Sequence, residues 1–175
     1  AWVWGGNSFG QLGTGNLNPL GTVTQNGFGS RYQAVALGSD HSLWLRTDGR
    51  IEAAGYNGNG ALGQPDSVYL SQSLLVVPGT ATYTAIAAGN SFSLAVRSDG
   101  TVWIWGHNSR GQYGTPPAND AVHRHTPVQV SGLPGGIRAV ATGMAHSLAL
   151  DSAGQVWAWG ESTNGKLGIG STTGN

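Results

Sequence analysis

Three local clusters carry residue types that could do chemistry. His123-Arg124-His125 is the densest concentration of potential positive charge, and Asp120 is the one carboxylate near it. In an extended chain His123 and His125 fall on one face, where two imidazoles could chelate a metal. Functional metal sites generally need three or four ligands, so the set falls short, and no metal or other cofactor is expected. A solvated loop crest and a partner contact remain as readings of this segment. Asp40-His41-Ser42 holds the residue types of a nucleophilic triad. Neighbouring residues on a strand point to opposite faces, whereas a triad requires convergence in space. Gly58-Asn59-Gly60-Ala61-Leu62-Gly63 fits the glycine pattern of a dinucleotide loop. That loop must open a helix, and Gln64-Pro65-Asp66 follows instead.

The elements that hold these clusters are repeats. Trp2-Val3-Trp4-Gly5, Glu52-Ala53-Ala54-Gly55, Trp103-Ile104-Trp105-Gly106 and Trp157-Ala158-Trp159-Gly160 align, and each is followed by a Gly-x-Leu/Tyr-Gly turn. A second motif recurs at Gly38 to Leu43, Gly89 to Leu94 and Gly143 to Leu148 with the same period of about fifty residues. Thr47-Asp48-Gly49, Ser98-Asp99-Gly100 and Ser152-Ala153-Gly154 sit between apolar runs and predict hairpins, with type I′ turns at the Asp-Gly steps. No segment holds a helical period. Four-stranded units at this spacing mean an all-β fold: a β-propeller of four-stranded antiparallel blades, forming an incomplete ring within the one chain. Residues 1–30 read as a partial repeat, and 31–80, 81–131 and 132–175 as three further repeats.

On the repeated strand, Trp103 and Trp105 face one side and Val102 and Ile104 the other, so both faces should be covered by neighbouring blades. By the same logic Trp2, Trp4, Trp157 and Trp159 are expected in the core. The recurrent His41 and His146 are expected to bond backbone within their blades. The second copy departs from the pattern, with Glu52-Ala53-Ala54 lacking both tryptophans and Phe92 in place of histidine. Trp44 stands where the other copies have Ala95 and Ala149. It either fills a gap or presents a binding anchor.

Charged residues are only 9% of the chain, and eight basic residues balance eight acidic ones. Nothing draws a polyanion from a distance, so nucleic acid and anionic membrane are not expected partners. The absence of cysteine excludes disulfide, thiolate and Cys-zinc chemistry. No apolar run is long enough to span a bilayer as a helix. A polar but uncharged composition is associated with secreted and cell-surface bacterial β-proteins, the location favoured on this ground.

The wording of the repeat is Gly-x-x-His-Ser-Leu-Ala-Leu, then Asp-Gly, then Val-Trp-x-Trp-Gly, then Gly-Gln-Leu-Gly. It resembles the regulator of chromosome condensation repeat family over essentially the whole chain. The resemblance implies a seven-bladed propeller and a protein-binding face built of loops. It also implies activities that differ from member to member, among them nucleotide exchange, enzyme inhibition and light sensing. The expected function is therefore a non-catalytic interaction module with a protein partner. The rival readings are a structural segment of a larger secreted or surface protein and a ligand or enzymatic site in the channel. Contacts are expected from Pro65 to Ser73 and Pro116 to Thr126, with His123, Arg124, His125, Asp120 and Trp44 as candidate partner-binding residues. Three full repeats and an extra strand region leave open blade edges, so the ring is expected to be completed by the rest of a longer chain or by another copy.

Overall fold

The computed structural model describes residues 1–29, 31–114 and 122–170. The strands are β1 (Trp2–Gly5), β2 (Leu20–Gln25), β3 (Tyr32–Leu37), β4 (His41–Arg46), β5 (Ile51–Tyr56), β6 (Leu70–Val76), β7 (Tyr83–Ala88), β8 (Phe92–Arg97), β9 (Val102–Gly106), β10 (Arg124–Gln129), β11 (Ile137–Thr142), β12 (His146–Asp151) and β13 (Val156–Gly160). They form a leading half-blade β1-β2, a first blade β3-β4-β5-β6, a second blade β7-β8-β9-β10 and a trailing blade β11-β12-β13. All pairings are antiparallel meanders. The register repeats: Leu43 lies opposite Ala53, Leu94 opposite Ile104 and Leu148 opposite Ala158. The innermost strand of each blade is irregular at the same place, Tyr32/Ala34, Tyr83/Ala85 and Ile137/Ala139.

The hairpins are not type I′, which needs positive φ at both central residues. Gly49 alone takes the left-handed conformation, at φ 83°, and its N–H bonds the Arg46 carbonyl at 3.0 Å. The result is a type I turn with a glycine bulge. Asp48 favours it through its carboxylate, which accepts the Arg50 N–H at 3.1 Å. In the trailing blade, where Ala153 replaces the turn aspartate, Asp151 reaches the corresponding Gln155 N–H at 2.8 Å from two residues upstream.

The core lies in the seams between blades. Leu43, Leu45, Ile51 and Ala53 of the first blade meet Ala95 and Trp105 of the second. Leu94, Val96, Val102 and Ile104 on the other face of the second blade meet Ala149 and Trp159 of the trailing one. Alternation along β8 and β9 thus feeds two separate cores, as two-sided burial of a strand demands. Trp2 and Trp4 depart from the expected core placement, at 60% and 59% exposure. Among the described residues β1 pairs only with β2, and Trp2 and Trp4 line an open cavity with Val35, Leu37 and Trp44 of the first blade.

Candidate interaction surface

Each seam is locked by one backbone carbonyl in the loop that follows the third strand. The Ala61 carbonyl accepts both the Ser93 hydroxyl, at 2.7 Å, and the Trp105 indole N–H, at 2.8 Å. The Gln112 carbonyl accepts the Trp159 N–H at 2.7 Å, and the Gln11 carbonyl accepts the Ser42 hydroxyl at 2.6 Å. Satisfied buried bonds of this kind fix how one blade sits on the next. The loops carrying these carbonyls are held by a buried asparagine that sequence reasoning missed. Asn57 accepts the Leu62 N–H at 2.9 Å and donates to the Val68 carbonyl at 2.7 Å. Asn7 accepts from Leu12 N–H, and Asn108 from Tyr113 N–H, in the same way. The signal was available as Gly-x-Asn at Gly5, Gly55 and Gly106. The glycines at 58–63 serve this turn, with no helix following. Gly60 lies so close to β10 that an added methyl would stand 2.5 Å from the Arg124 carbonyl oxygen.

His41 does not bond backbone in its own blade. Its Nε2 lies 3.0 Å from the Ser93 hydroxyl across the seam, and full burial lowers its pKa to about 4, keeping the ring neutral. The equivalent His146 has its Nδ1 buried with no partner among the described residues. Asp40, His41 and Ser42 do not converge. Ser42 turns to Gln11, and His41 to the next blade.

The candidate partner residues fall into three groups. Trp44 is 3% exposed and stacks edge-on against Phe28 and Tyr32, with its N–H donated to the Ser42 hydroxyl at 2.8 Å. It fills the gap and is no exposed anchor, because its face of β4 looks into the leading seam. Asp120 lies outside the described residues, as do residues 116–121 of the second candidate loop. His123, Arg124 and His125 come together with the loop of residues 57–69, but not as a free crest. His125 bonds the Gln64 carbonyl through Nδ1 at 3.0 Å and the Asp66 carboxylate through Nε2 at 2.8 Å. His123 instead stacks on His107, ring centroids 4.8 Å apart. The two histidines engage different partners, and no group of three His, Asp or Glu is placed to hold a metal among the described residues. The Arg124 N–H bonds the Tyr113 hydroxyl at 3.1 Å. Burial lowers the His107 pKa, helped by His123 and Arg110 nearby. Arg110 pairs with Glu161 at 2.9 Å, and Lys166 holds the same carboxylate, lowering its pKa. All these groups share one rim of the blades, opposite the Asp-Gly turns.

Blades of antiparallel strands locked carbonyl-to-indole from one to the next define a β-propeller segment. Residues 83–112 and 137–166 match a family described as the Regulator of chromosome condensation (RCC1) repeat, and residues 99–150 match a second model of the same description. The chain belongs to the regulator of chromosome condensation repeat family. It is 31% identical over 174 residues to the ultraviolet-B receptor UVR8 of Arabidopsis thaliana, covering 97% of this chain and 39% of that protein. It is 34% identical over 183 residues to the E3 ubiquitin-protein ligase HERC2 of Homo sapiens, covering 99% of this chain and 4% of that protein. Among solved structures, Prp20p of Saccharomyces cerevisiae superposes with a TM-score of 0.82 at 27% identity, over 97% of this chain and 43% of the other. Human WBSCR16 superposes with a TM-score of 0.77 at 26% identity, over 91% of this chain and 42% of the other. The chain therefore spans less than half the length of each of these relatives.

Proposed function

We propose that this chain is a non-catalytic protein-interaction module whose contacts come from the long loops of one rim. The convergence of residues 57–69 with 107–114 and 122–125 carries this reading. His125 ties the two loops together, and Asp66, Arg110, His123 and Glu161 surround the junction. The opposite rim repeats one hairpin turn with its aspartate consumed locally, so it offers less that is distinctive. Sites of recognition are commonly grafted on irregular loops over a regular scaffold. The Prp20p structure is described with binding to Gsp1p and histones, which makes a protein ligand the natural class for this rim too.

A photo-crosslinking side chain placed at Asp66 or Arg110 tests the assignment, with the same group at Arg50 on the opposite rim as control. Protein adducts should form from the first two positions and not from the third. Adducts from Arg50 alone would overturn the rim assignment.

A further inference from the structure

The loop rim changes its chemistry between the first blade and the second, at matching positions of the repeat. We propose that the aromatic row Phe9, Tyr56 and Tyr69, with Asp40 beside it, receives an arginine side chain of a protein partner. The row lies within the rim assigned above, so the site rests on that reading.

Phe9 meets Tyr56 edge to face, ring centroids 5.4 Å apart, and Tyr56 meets Tyr69 in the same way at 5.2 Å. The Tyr56 N–H bonds the Asp40 carbonyl at 2.8 Å, which sets Asp40 beside the row. Burial, the bond to the Tyr69 hydroxyl and the Asp40 charge together hold the Tyr56 phenol above its usual pKa. Tyr69, just before the outer strand β6, ends the row at 61% exposure. Gly58 makes room for it. The other loops carry Ser8, Ser109 and Thr163 at that position, and a Cβ at Gly58 would collide with the Tyr56 hydroxyl.

In the second blade the places of Tyr56 and Tyr69 are taken by His107 and His123, which stack on each other, and the place of Phe9 by Arg110, which pairs with Glu161 of the next loop. The first-blade half of the rim instead holds Asp40 and Asp66 and no lysine or arginine. Before residue 83 the chain has only Arg31, Arg46 and Arg50, and all three lie at the opposite rim. Arg46 and Arg50 flank the Asp48-Gly49 turn, and the Arg31 carbonyl accepts the Thr47 N–H. Ring faces and a carboxylate together attract a cation. A guanidinium suits them better than an ammonium, because it is planar, stacks on rings and meets a carboxylate as a fork. The chain makes such a contact itself at the other rim, where Arg97 lies 4.8 Å from the centroid of the Trp103 ring and 3.8 Å from the Asp99 carboxylate.

Titration of the protein with the peptide acetyl-Gly-Arg-Gly-amide, followed by backbone amide NMR, tests the site. The same peptide with lysine or with citrulline, the neutral analogue of arginine, serves for comparison. The arginine peptide should shift the signals of Asp40, Tyr56 and Tyr69 saturably, the lysine peptide should bind more weakly, and the citrulline peptide should leave them in place. Tyr69→Leu and Asp40→Asn should each weaken the arginine peptide about fivefold, while Tyr69→Phe, which keeps the ring, should bind as before. Tyr69 is mostly exposed, so the fold should tolerate its replacement; if Tyr69→Leu lowers the melting temperature, Asp40→Asn decides. Equal binding of the citrulline peptide, unchanged affinity in Asp40→Asn, or a response confined to residues 107–114 and 122–125 would each overturn the arginine site. Rim crosslinks to protein with no response at the row would remove this site alone and leave the rim reading standing.

Discussion

The seam between the leading half-blade and the first blade and the seam between the first and second blades solve one problem with different residues. In the second seam the indole of Trp105 comes from the third strand of its blade and bonds the Ala61 carbonyl directly. In the leading seam that position is Ala54, and the indole comes from Trp44 on the second strand. Its N–H reaches the Ser42 hydroxyl, which passes the bond to the Gln11 carbonyl. Two departures from the repeat, a missing tryptophan and an extra one, are thus a single exchange of where the ring enters the seam. The outer pair varies as well. Arg46 meets Glu52 in an ion pair, Arg97 lies over the Trp103 ring, and Asp151 accepts the Trp157 N–H. A repeat conserves the contact to be made more strictly than the residue that makes it.

The largest effect should come from removing the direct indole. Trp105 is fully buried, and Trp105→Ala should cost about 4 kcal/mol in chemical denaturation, from lost packing and the orphaned share of the Ala61 carbonyl. Trp4→Ala, at the same repeat position but exposed, should stay within about 0.5 kcal/mol. A comparable loss for Trp4 would erase the distinction between a filled and an open seam.

Acid should act next, and on the second seam selectively. The folded pKa of His41 is about 4, below its unfolded value of 6.5, so the fold favours the neutral ring. Its contribution is complete above pH 6.5 and is lost as the pH falls toward 4, in total about 3 kcal/mol at 1.36 kcal/mol per pKa unit. His107, whose pKa burial also lowers, favours the neutral ring in the same direction. The measurement is therefore the difference in denaturation midpoint between the unaltered chain and His41→Phe, followed from pH 7.5 to 4.5. The Phe variant should lose less stability across that range; equal slopes would mean that His41 is not the seam's acid-sensitive group.

Much of this was legible in the sequence. The period placed the three inner strands of the blades, and alternation over Val102 to Trp105 assigned residues to opposite seams. The outer strands β2, β6 and β10 carry no repeated wording, and Leu70 to Ser73 and Arg124 to Thr126, expected in loops, begin β6 and β10. What escaped was any contact whose partner lies a repeat away. Ser42 and Ser93 recur visibly, but that their hydroxyls reach Gln11 and Ala61 depends on loops folding over the next blade. Those loops are held by Asn7 and Asn57, and their acceptors are backbone atoms with no side-chain signature. Trp2 and Trp4 were expected in the core because their repeat position is a core position, and a pattern does not report whether a neighbour is present. The His123 to His125 segment looked like one cluster along the chain. In space it divides, because loop residues Gln64 and Asp66 take His125 while the first ring stacks on His107.

The exchange of indoles can be tested as a coupling. Trp44→Ala should cost about 3 kcal/mol, and Ala54→Trp alone should destabilise by about 1 to 2 kcal/mol, because it crowds a seam already filled. Combined, the two changes should be less harmful than their sum by about 2 kcal/mol, since the new ring occupies the space left by the old and its N–H can reach the Gln11 carbonyl as Trp105 reaches Ala61. Additive losses would mean that the two departures arose independently.

The smallest effect separates two equivalent serines by sign. Ser93 is buried, donates to the Ala61 carbonyl and lies within bonding distance of His41. Ser147 is equally buried, but its hydroxyl finds no partner among the described residues. Two causes are visible. Phe92 stands where His41 stands one blade earlier, so the preceding blade offers no imidazole, and the Gln112 carbonyl is taken by the Trp159 indole without the serine. A satisfied buried hydroxyl contributes about 1 kcal/mol, whereas an unsatisfied one costs a similar amount in desolvation. Ser93→Ala should therefore lower stability by about 1 kcal/mol, and Ser147→Ala should raise it by about 0.5 to 1 kcal/mol. Chemical denaturation at pH 8, where His41 is neutral, reads both. If Phe92→His is introduced first, the new ring can meet the Ser147 hydroxyl, and Ser147→Ala should then become destabilising like its counterpart. A gain that persists in the histidine background would show that the serine's cost comes from packing rather than from its missing partner.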